Sequence, residues 1–169
     1  MFSTKAIALA SGLLLGWVAG AGAAPNDRGA RVAFFGFRLI NTSLEPTTAA
    51  EDARIRQLDA LFREKLAASG RYGLVTIPPE LQQQIAAGPG IDSCNGCERD
   101  LARQVGAEVA AWGTVQKVSN LILNINVYMR DAESGTMTFA RSVDIRGNND
   151  ESWQRGLGYL LRNYLLGKP

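Results

Sequence analysis

Histidine is absent from this chain of 169 residues, and cysteine occurs only twice. The missing imidazole excludes a Ser-His-Asp triad, a Cys-His pair, a histidine-rich zinc site and a His-ligated haem. There is also no Gly-x-Ser-x-Gly motif and no phosphate-binding glycine loop. We therefore predict that the protein is not an enzyme, and that it has no cofactor and no metal site.

The N-terminus has the layout of a secretory signal peptide. Lys5 supplies a positive charge, residues 6–18 are apolar, and Ala21-Gly22-Ala23 is a small-x-small cleavage site. The apolar run is shorter than the roughly 20 residues that a membrane helix needs. We predict a signal peptide at residues 1–23, cleavage after Ala23, and a single periplasmic domain at residues 24–169 with no integral membrane segment.

Charge is almost balanced. The chain has 18 basic and 16 acidic residues. Removing Lys5 with the signal peptide leaves 17 basic and 16 acidic residues. This is not the basic footprint of a nucleic-acid-binding protein, and no polybasic run favours an anionic membrane. We expect a protein partner rather than nucleic acid.

Hydrophobic periodicity predicts the secondary structure. Apolar runs at residues 31–40, 72–77 and 107–118 are typical of buried strands. Residues 121–131 alternate strictly, which indicates a strand with one buried face that includes Leu121, and Asp131 to Gly135 forms a hairpin to a last strand.

Capping signals place the helices between these strands. Thr48 and Glu51 have capping-box spacing, and Asn95 with Glu98 predicts a second box. A proline-initiated helix precedes Gly88, and a final helix follows Asn149. The order β-α-β-α-α-β-β-β-α predicts an α/β (α+β) domain with one mixed sheet of about five strands, parallel then antiparallel, and helices mainly on one face.

Several segments together resemble a known group of domains. These are VAFFGF, SGRYGLV, LARQVGAEVAAWGTVQKV and LILNINVYMRDAESGTM. In this order they resemble the N-terminal domain of TolB and the periplasmic domains of the CsgG and LpoB kind. The chain resembles more closely a family of small secreted proteobacterial proteins of unknown function, which we associate with the gene neighbourhoods of periplasmic quinoprotein alcohol dehydrogenases. The resemblance implies a non-catalytic domain that binds other envelope proteins.

Cys94-Asn95-Gly96-Cys97 departs from that group and has two interpretations. A helix N-terminus lowers a thiol pKa, so the pair could be a redox dithiol. An exported protein favours a structural disulfide instead. A thioredoxin-type enzyme needs a cis-proline loop well downstream of its cysteines. We do not expect that fold here, because the only proline after Pro89 is Pro169, at the end of the chain. Zinc would need two further ligands.

Two surfaces are candidates for partner binding. Asn124, Asn126, Tyr128 and Arg130 form a polar stripe on the outer face of the alternating strand, and tyrosine and arginine are enriched at interfaces. An ordinary solvated face is the alternative. The loop with Asn41 and Thr42 follows the first parallel strand, where open α/β sheets bind ligands. We predict an accessory module that docks onto a larger envelope or redox protein, with thiol-disulfide or electron transfer at Cys94 and Cys97 as the alternative.

Overall fold

The computed structural model describes residues 29–167, so the predicted signal peptide lies outside the described residues. The strands are β1 (Ala30–Asn41), β2 (Tyr72–Leu74), β3 (Val109–Lys117), β4 (Ile122–Asp131) and β5 (Met137–Arg146). The helices are α1 (Ala49–Ala68), α2 (Pro79–Ala87), α3 (Cys97–Gln104) and α4 (Asp150–Leu160), and a π-helical turn (Leu161–Leu165) follows α4. The predicted order of elements is confirmed.

The five strands form one mixed sheet in the order β2-β1-β3-β4-β5. β1 is parallel to β2 and β3, because helices make the crossovers between them. β3, β4 and β5 form an antiparallel meander. Ala110 pairs with Arg130 at one end of β3 and β4, and Lys117 pairs with Leu123 at the other end.

The main core lies between the sheet and the two longest helices. Strand alternation directs Val32 and Phe34 of β1 to the same face as Ile125 and Val127 of β4. Helical spacing directs an apolar face of α1 and of α4 onto these strands. The fully buried hydrophobic residues of these two helices are Leu58, Phe62, Leu66, Leu157 and Leu160.

The two short helices lie on the other face of the sheet. Ala102 of α3 packs with Ala33 and Ala110, which point away from the main core. Leu81 of α2 packs with Leu101 of α3. The prediction of helices mainly on one face is therefore confirmed for α1 and α4, and α2 and α3 add a partial second layer over β1 and β3. Among residues 29–167, no helix is long and apolar enough to cross a membrane.

A β-bulge in β1 redirects its side chains. The register with β3 shifts between Phe34 and Phe37, and Gly36 has a φ of +91°, which favours glycine. Asp59 of α1 accepts a hydrogen bond from the Phe37 N–H at 2.7 Å. Burial raises the pKa of Asp59, and this effect outweighs the hydrogen bond from Phe37, which lowers the pKa. The bulge thus places Phe34 and Phe37 in the same core.

Two local predictions are corrected. Asn95 does not cap α3, because Asn95 has a left-handed φ of +54° and Gly96 is the N-cap, without a side-chain hydrogen bond. Glu98 pairs with Arg130 instead of closing a capping box. Leu121 is not on the buried face of β4, because the strand begins at Ile122 and Leu121 lies 73% exposed in the preceding turn. The Thr48–Glu51 capping box is confirmed.

Candidate functional site

Cys94 and Cys97 are joined in a disulfide, with their Cα atoms 5.5 Å apart. Cys94 lies in the loop before α3, and Cys97 is the first residue of that helix. Both residues are partly exposed. The geometry is therefore that of a small disulfide ring at a helix N-terminus, which both the structural and the redox interpretation allow.

A buried carboxylate lies against this disulfide. Glu98 is 2% exposed, and its Oε1 is 2.8 Å from Nη1 of Arg130. Its Oε2 is 3.7 Å from Sγ of Cys94. A disulfide sulfur has no proton to donate, so this contact becomes a hydrogen bond only when the pair is reduced. One ligand atom from each of Cys94, Cys97 and Glu98 lies within 4.8 Å of the others.

Tyr128 and Arg130, at one end of the polar stripe, contact other residues of the fold. The ring of Tyr128 stacks on Trp112 with centroids 5.3 Å apart, and the Arg130 guanidinium lies 5.9 Å from the same indole. Nε of Arg130 is buried without a hydrogen-bond partner among the described residues. These two stripe residues therefore hold Glu98 and the β3–β4 surface in place.

An apolar cavity adjoins the disulfide between α2 and α3. Its volume is about 340 Å³. Ile85 comes from α2, Leu101 comes from α3, and the connecting loop adds Pro89 and Ile91. Both cysteines contribute to the wall. A partner side chain in this cavity would touch the S–S bond.

The asparagine end of the polar stripe is more open. Asn124 donates hydrogen bonds from Nδ2 to Ser142 and Asp144 of β5, both at 2.7 Å. Asn126 donates to the Thr114 hydroxyl at 3.2 Å. Both asparagines are partly exposed. They stabilise pairing of the outer strands and still face solvent.

Asn41 and Thr42 shape the loop after β1. The Asn41 amide donates to the Glu45 carbonyl at 2.7 Å, and its Oδ1 accepts from the Ser43 N–H at 3.0 Å. The Thr42 hydroxyl donates to the Lys117 carbonyl at 3.0 Å. These side chains therefore fix the loop onto the end of β3.

A buried ion pair lies beneath that loop. Lys117 is 1% exposed, Glu51 is fully buried, and Nζ of Lys117 is 2.7 Å from Oε1 of Glu51. Burial raises the pKa of Glu51, but hydrogen bonds from Lys117, Thr48 and Asn148 outweigh it and lower the pKa to about 2. The hydrogen bond to Glu51 raises the pKa of Lys117. The sequence contained one signal for this pair: Lys117 ends the apolar strand β3, where a lysine needs an acidic partner if it is buried.

Exposed apolar side chains gather at the same end of the sheet. Leu44 at the tip of the β1–α1 loop is fully exposed, and Val118, Leu121 and Ile122 are 51%, 73% and 56% exposed around the β3–β4 turn. Glu45 joins the two loops, because its carboxylate lies 3.4 Å from Nζ of Lys117 and 2.5 Å from the Asn120 amide. We call Leu44, Val118, Leu121 and Ile122 the apolar tip. Sequence reasoning missed this surface.

The family model of DUF3280, described as "Protein of unknown function (DUF2380)", matches residues 30–165. No curated protein matches the chain. The predicted resemblance to a family of unknown function agrees with this match.

Solved structures share the fold at low sequence identity, and three of them illustrate it. The LpoB C-terminal domain from Salmonella enterica has a TM-score of 0.52 and 16% identity, over 70% of this chain and 84% of that chain. The PelC dodecamer from Paraburkholderia phytofirmans has a TM-score of 0.52 and 14% identity, over 84% and 91%. Lipoprotein GNA1162 from Neisseria meningitidis has a TM-score of 0.52 and 12% identity, over 80% and 99%. The predicted LpoB-like fold is confirmed.

Proposed function

The chain belongs to the DUF3280 family, and we propose that it is an exported accessory module that binds a larger envelope protein through its apolar tip. The signal-peptide layout at residues 1–23 supports a periplasmic address. The fold shared with LpoB and with a lipoprotein is consistent with that address. In this role the protein positions its partner and carries out no catalytic step.

The observation that carries this proposal is the clustering of exposed apolar side chains. The described residues include seven large hydrophobic side chains that are exposed, and four of them form the apolar tip. Scattered single apolar residues need no explanation, whereas several on two loops that Glu45 joins favour an interaction site. Leucine and isoleucine side chains have no polar groups, so they favour an apolar protein groove over a polar ligand.

The base of the apolar tip is held by hydrogen bonds and an ion pair, which favours binding. Asn41 and Thr42 fix the β1–α1 loop, and the Lys117–Glu51 pair holds the strand ends beneath it. A preorganised loop loses less conformational entropy when it binds. We therefore assign Asn41 and Thr42 a supporting role rather than direct contact with the partner.

The polar stripe extends this surface. Ile122 of the apolar tip shares the outer face of β4 with Asn124 and Asn126. We propose that these two asparagines form the polar rim of the interface, because interfaces combine an apolar centre with a polar edge. Tyr128 and Arg130 lie further along β4, away from the apolar tip. Tyr128 stacks on Trp112 and Arg130 pairs with Glu98, so we assign these two residues a supporting role.

Site-specific photocrosslinking in cells that export the protein tests the proposal. A photoreactive phenylalanine analogue is placed at Leu44 or at Leu121, and a matched control is placed at the exposed Glu133 in the β4–β5 turn. We expect one discrete crosslinked protein from the two tip positions and none from the control.

Other crosslinking outcomes would contradict the proposal. Equal crosslinking at Glu133 would mean that the apolar tip is not the interface. Crosslinks to lipid alone would indicate a membrane surface, and crosslinks between copies of this chain would indicate self-assembly.

Thiol-disulfide exchange at Cys94 and Cys97 is the second candidate function. The specific observation in its favour is the contact between Glu98 and Sγ of Cys94. In this role the partner would be a periplasmic redox protein, and a quinoprotein dehydrogenase system is the candidate that the resemblance suggests.

A further inference from the structure

We propose that the Cys94–Cys97 disulfide exchanges with thiols, that Cys97 forms the bond to the partner, and that Glu98 is the proton acceptor for Cys94. The proposal rests on the second candidate function and adds a residue that the Cys-x-x-Cys pattern does not contain. The partner is a protein dithiol on an apolar segment, and the cavity between α2 and α3 receives that segment.

The surroundings of Glu98 leave one of its oxygens available for chemistry. Oε1 is paired with Arg130 at 2.8 Å. Oε2 is 3.7 Å from Sγ of Cys94, and this is its only hydrogen-bond-range contact with a side chain or backbone donor among the hydrogen bonds of the described residues. A buried carboxylate with a free oxygen is costly unless that oxygen gains a partner. Reduction of the disulfide supplies that partner, because the Cys94 thiol can then donate to Oε2, in competition with the Ile91 carbonyl oxygen at 3.5 Å.

The two sulfurs differ in electrostatic surroundings, and this assigns their roles. Cys97 opens α3, where the unpaired N–H groups of the first turn stabilise a thiolate. Cys94 lies beside the Glu98 carboxylate, which disfavours a neighbouring thiolate and attracts the thiol proton. Cys97 is therefore the sulfur that partners attack, and Cys94 is the resolving sulfur.

The exchange balances as follows. A thiolate of the partner dithiol attacks Sγ of Cys97, the Cys94–Cys97 bond breaks, and Sγ of Cys94 leaves with the electron pair. The second partner thiolate then attacks the partner sulfur bonded to Cys97, so that a partner disulfide forms, the bond to Cys97 breaks and Sγ of Cys97 leaves with the electron pair. Two electrons thus pass from the partner dithiol to Cys94 and Cys97, and the two cysteines take up from solvent the two protons that the partner thiols released to it. In the reverse direction, Sγ of Cys94 attacks Sγ of Cys97 in the mixed disulfide, the Cys94 thiol proton goes to Oε2 of Glu98, and the partner sulfur leaves with the electron pair.

Glutathione is a suitable probe, because it forms a mixed disulfide with an exchangeable cysteine. The protein is purified after export, and its reduction potential is measured in glutathione buffers. We expect the disulfide to be reduced in glutathione buffers that leave structural disulfides of secreted proteins intact. The Cys94→Ser variant should accumulate a stable mixed disulfide at Cys97, and the Cys97→Ser variant should accumulate little.

The role of Glu98 is tested by the rate at which Cys94 resolves the mixed disulfide, followed by mass spectrometry. Glu98→Gln should slow resolution at neutral pH by about 100-fold, the scale of general acid-base catalysis. Asp100→Asn is the matched control, because Asp100 is an exposed acid on the same helix. Its rate should equal that of the unmodified protein.

A pH profile of the unmodified protein tests the same role without a variant. Resolution assisted by Glu98 persists well below the ordinary thiol pKa of about 8.5, because the carboxylate accepts the proton during attack. A rate that falls tenfold for each pH unit below that value overturns the role of Glu98. Equal resolution rates for Glu98→Gln and Asp100→Asn also overturn the role of Glu98. Thiol-disulfide exchange at Cys94 and Cys97 would remain supported in that case. Resistance to all glutathione buffers removes the second candidate function altogether.

Discussion

Glu51 and Glu98 are both buried glutamates, but they lie at opposite ends of the β3–β4 pair and have different surroundings. Glu51 is paired with Lys117 and accepts further hydrogen bonds from Thr48 and Asn148. Glu98 is paired with Arg130 through one oxygen, and its other oxygen faces a sulfur atom. A saturated carboxylate stabilises a fold, whereas a half-paired one beside a reactive group is available for chemistry.

The largest effect is expected where the Glu51 pair is broken. Lys117→Met leaves Glu51 buried without a cation, so we expect the free energy of unfolding to fall by about 3–5 kcal/mol. Urea denaturation measures this change. Glu64→Gln is the control, since the Lys65–Glu64 pair is exposed and should contribute less than about 1 kcal/mol. If Lys117→Met loses as little unfolding free energy as the control, the Glu51 pair does not stabilise the fold and the contrast between Glu51 and Glu98 is wrong.

The second largest effect is expected from acid, which should lower the free energy of unfolding by protonating Glu51. Its pKa is lowered from 4.5 to about 2, so the folded state binds this proton more weakly than the unfolded state does. The resulting stabilisation is complete above pH 4.5 and is lost as the pH falls towards 2, a change of about 3 kcal/mol at most. Urea midpoints between pH 6 and pH 2 would measure this loss. Glu51→Gln should flatten that part of the pH profile, and an unchanged slope would contradict the assignment.

Reducing the disulfide should have a smaller effect than breaking the Lys117 pair. Cys94 and Cys97 are three residues apart, and so small a ring restricts the unfolded chain by only about 2 kcal/mol. Thermal unfolding of the protein with and without reductant measures this difference. A loss as large as that of Lys117→Met would make the disulfide a structural staple rather than an exchangeable bond.

Removing the charge of Glu98 should cost less again. Glu98→Gln can still accept a hydrogen bond from Arg130, which is itself 28% exposed, so we expect a loss of about 1 kcal/mol. Urea unfolding beside Glu51→Gln gives the direct comparison. If the Glu98 variant loses more stability than the Glu51 variant, the distinction between a structural and a chemical carboxylate is wrong.

The smallest effect is expected at the apolar tip. Leu44→Ser removes a side chain that is fully exposed, so stability should change by less than about 0.5 kcal/mol. Thermal unfolding checks this, and partner crosslinking from Leu121 should decrease in the same variant. A large loss of stability would show that Leu44 packs within the fold instead of facing a partner.

Sequence reasoning was most successful where patterns are local. Alternation predicted β4 with its buried and open faces, and the Thr48–Glu51 spacing predicted the start of α1. It failed for Asn95, because an asparagine suits both a helix cap and a left-handed turn. Only the ring closed by Cys94 and Cys97 and the pairing of Glu98 with Arg130 select between these conformations.

The amino-acid sequence by itself determined the order of elements, the mixed sheet, the proximity of the two cysteines and the lack of histidine chemistry, because these follow from periodicity and composition. The tertiary structure alone decided which distant groups meet. It paired Lys117 with Glu51, paired Arg130 with Glu98, and placed Glu45 beside the β3–β4 turn. Such contacts depend on register and on crossover connections, which join residues far apart in the chain and leave no local signal.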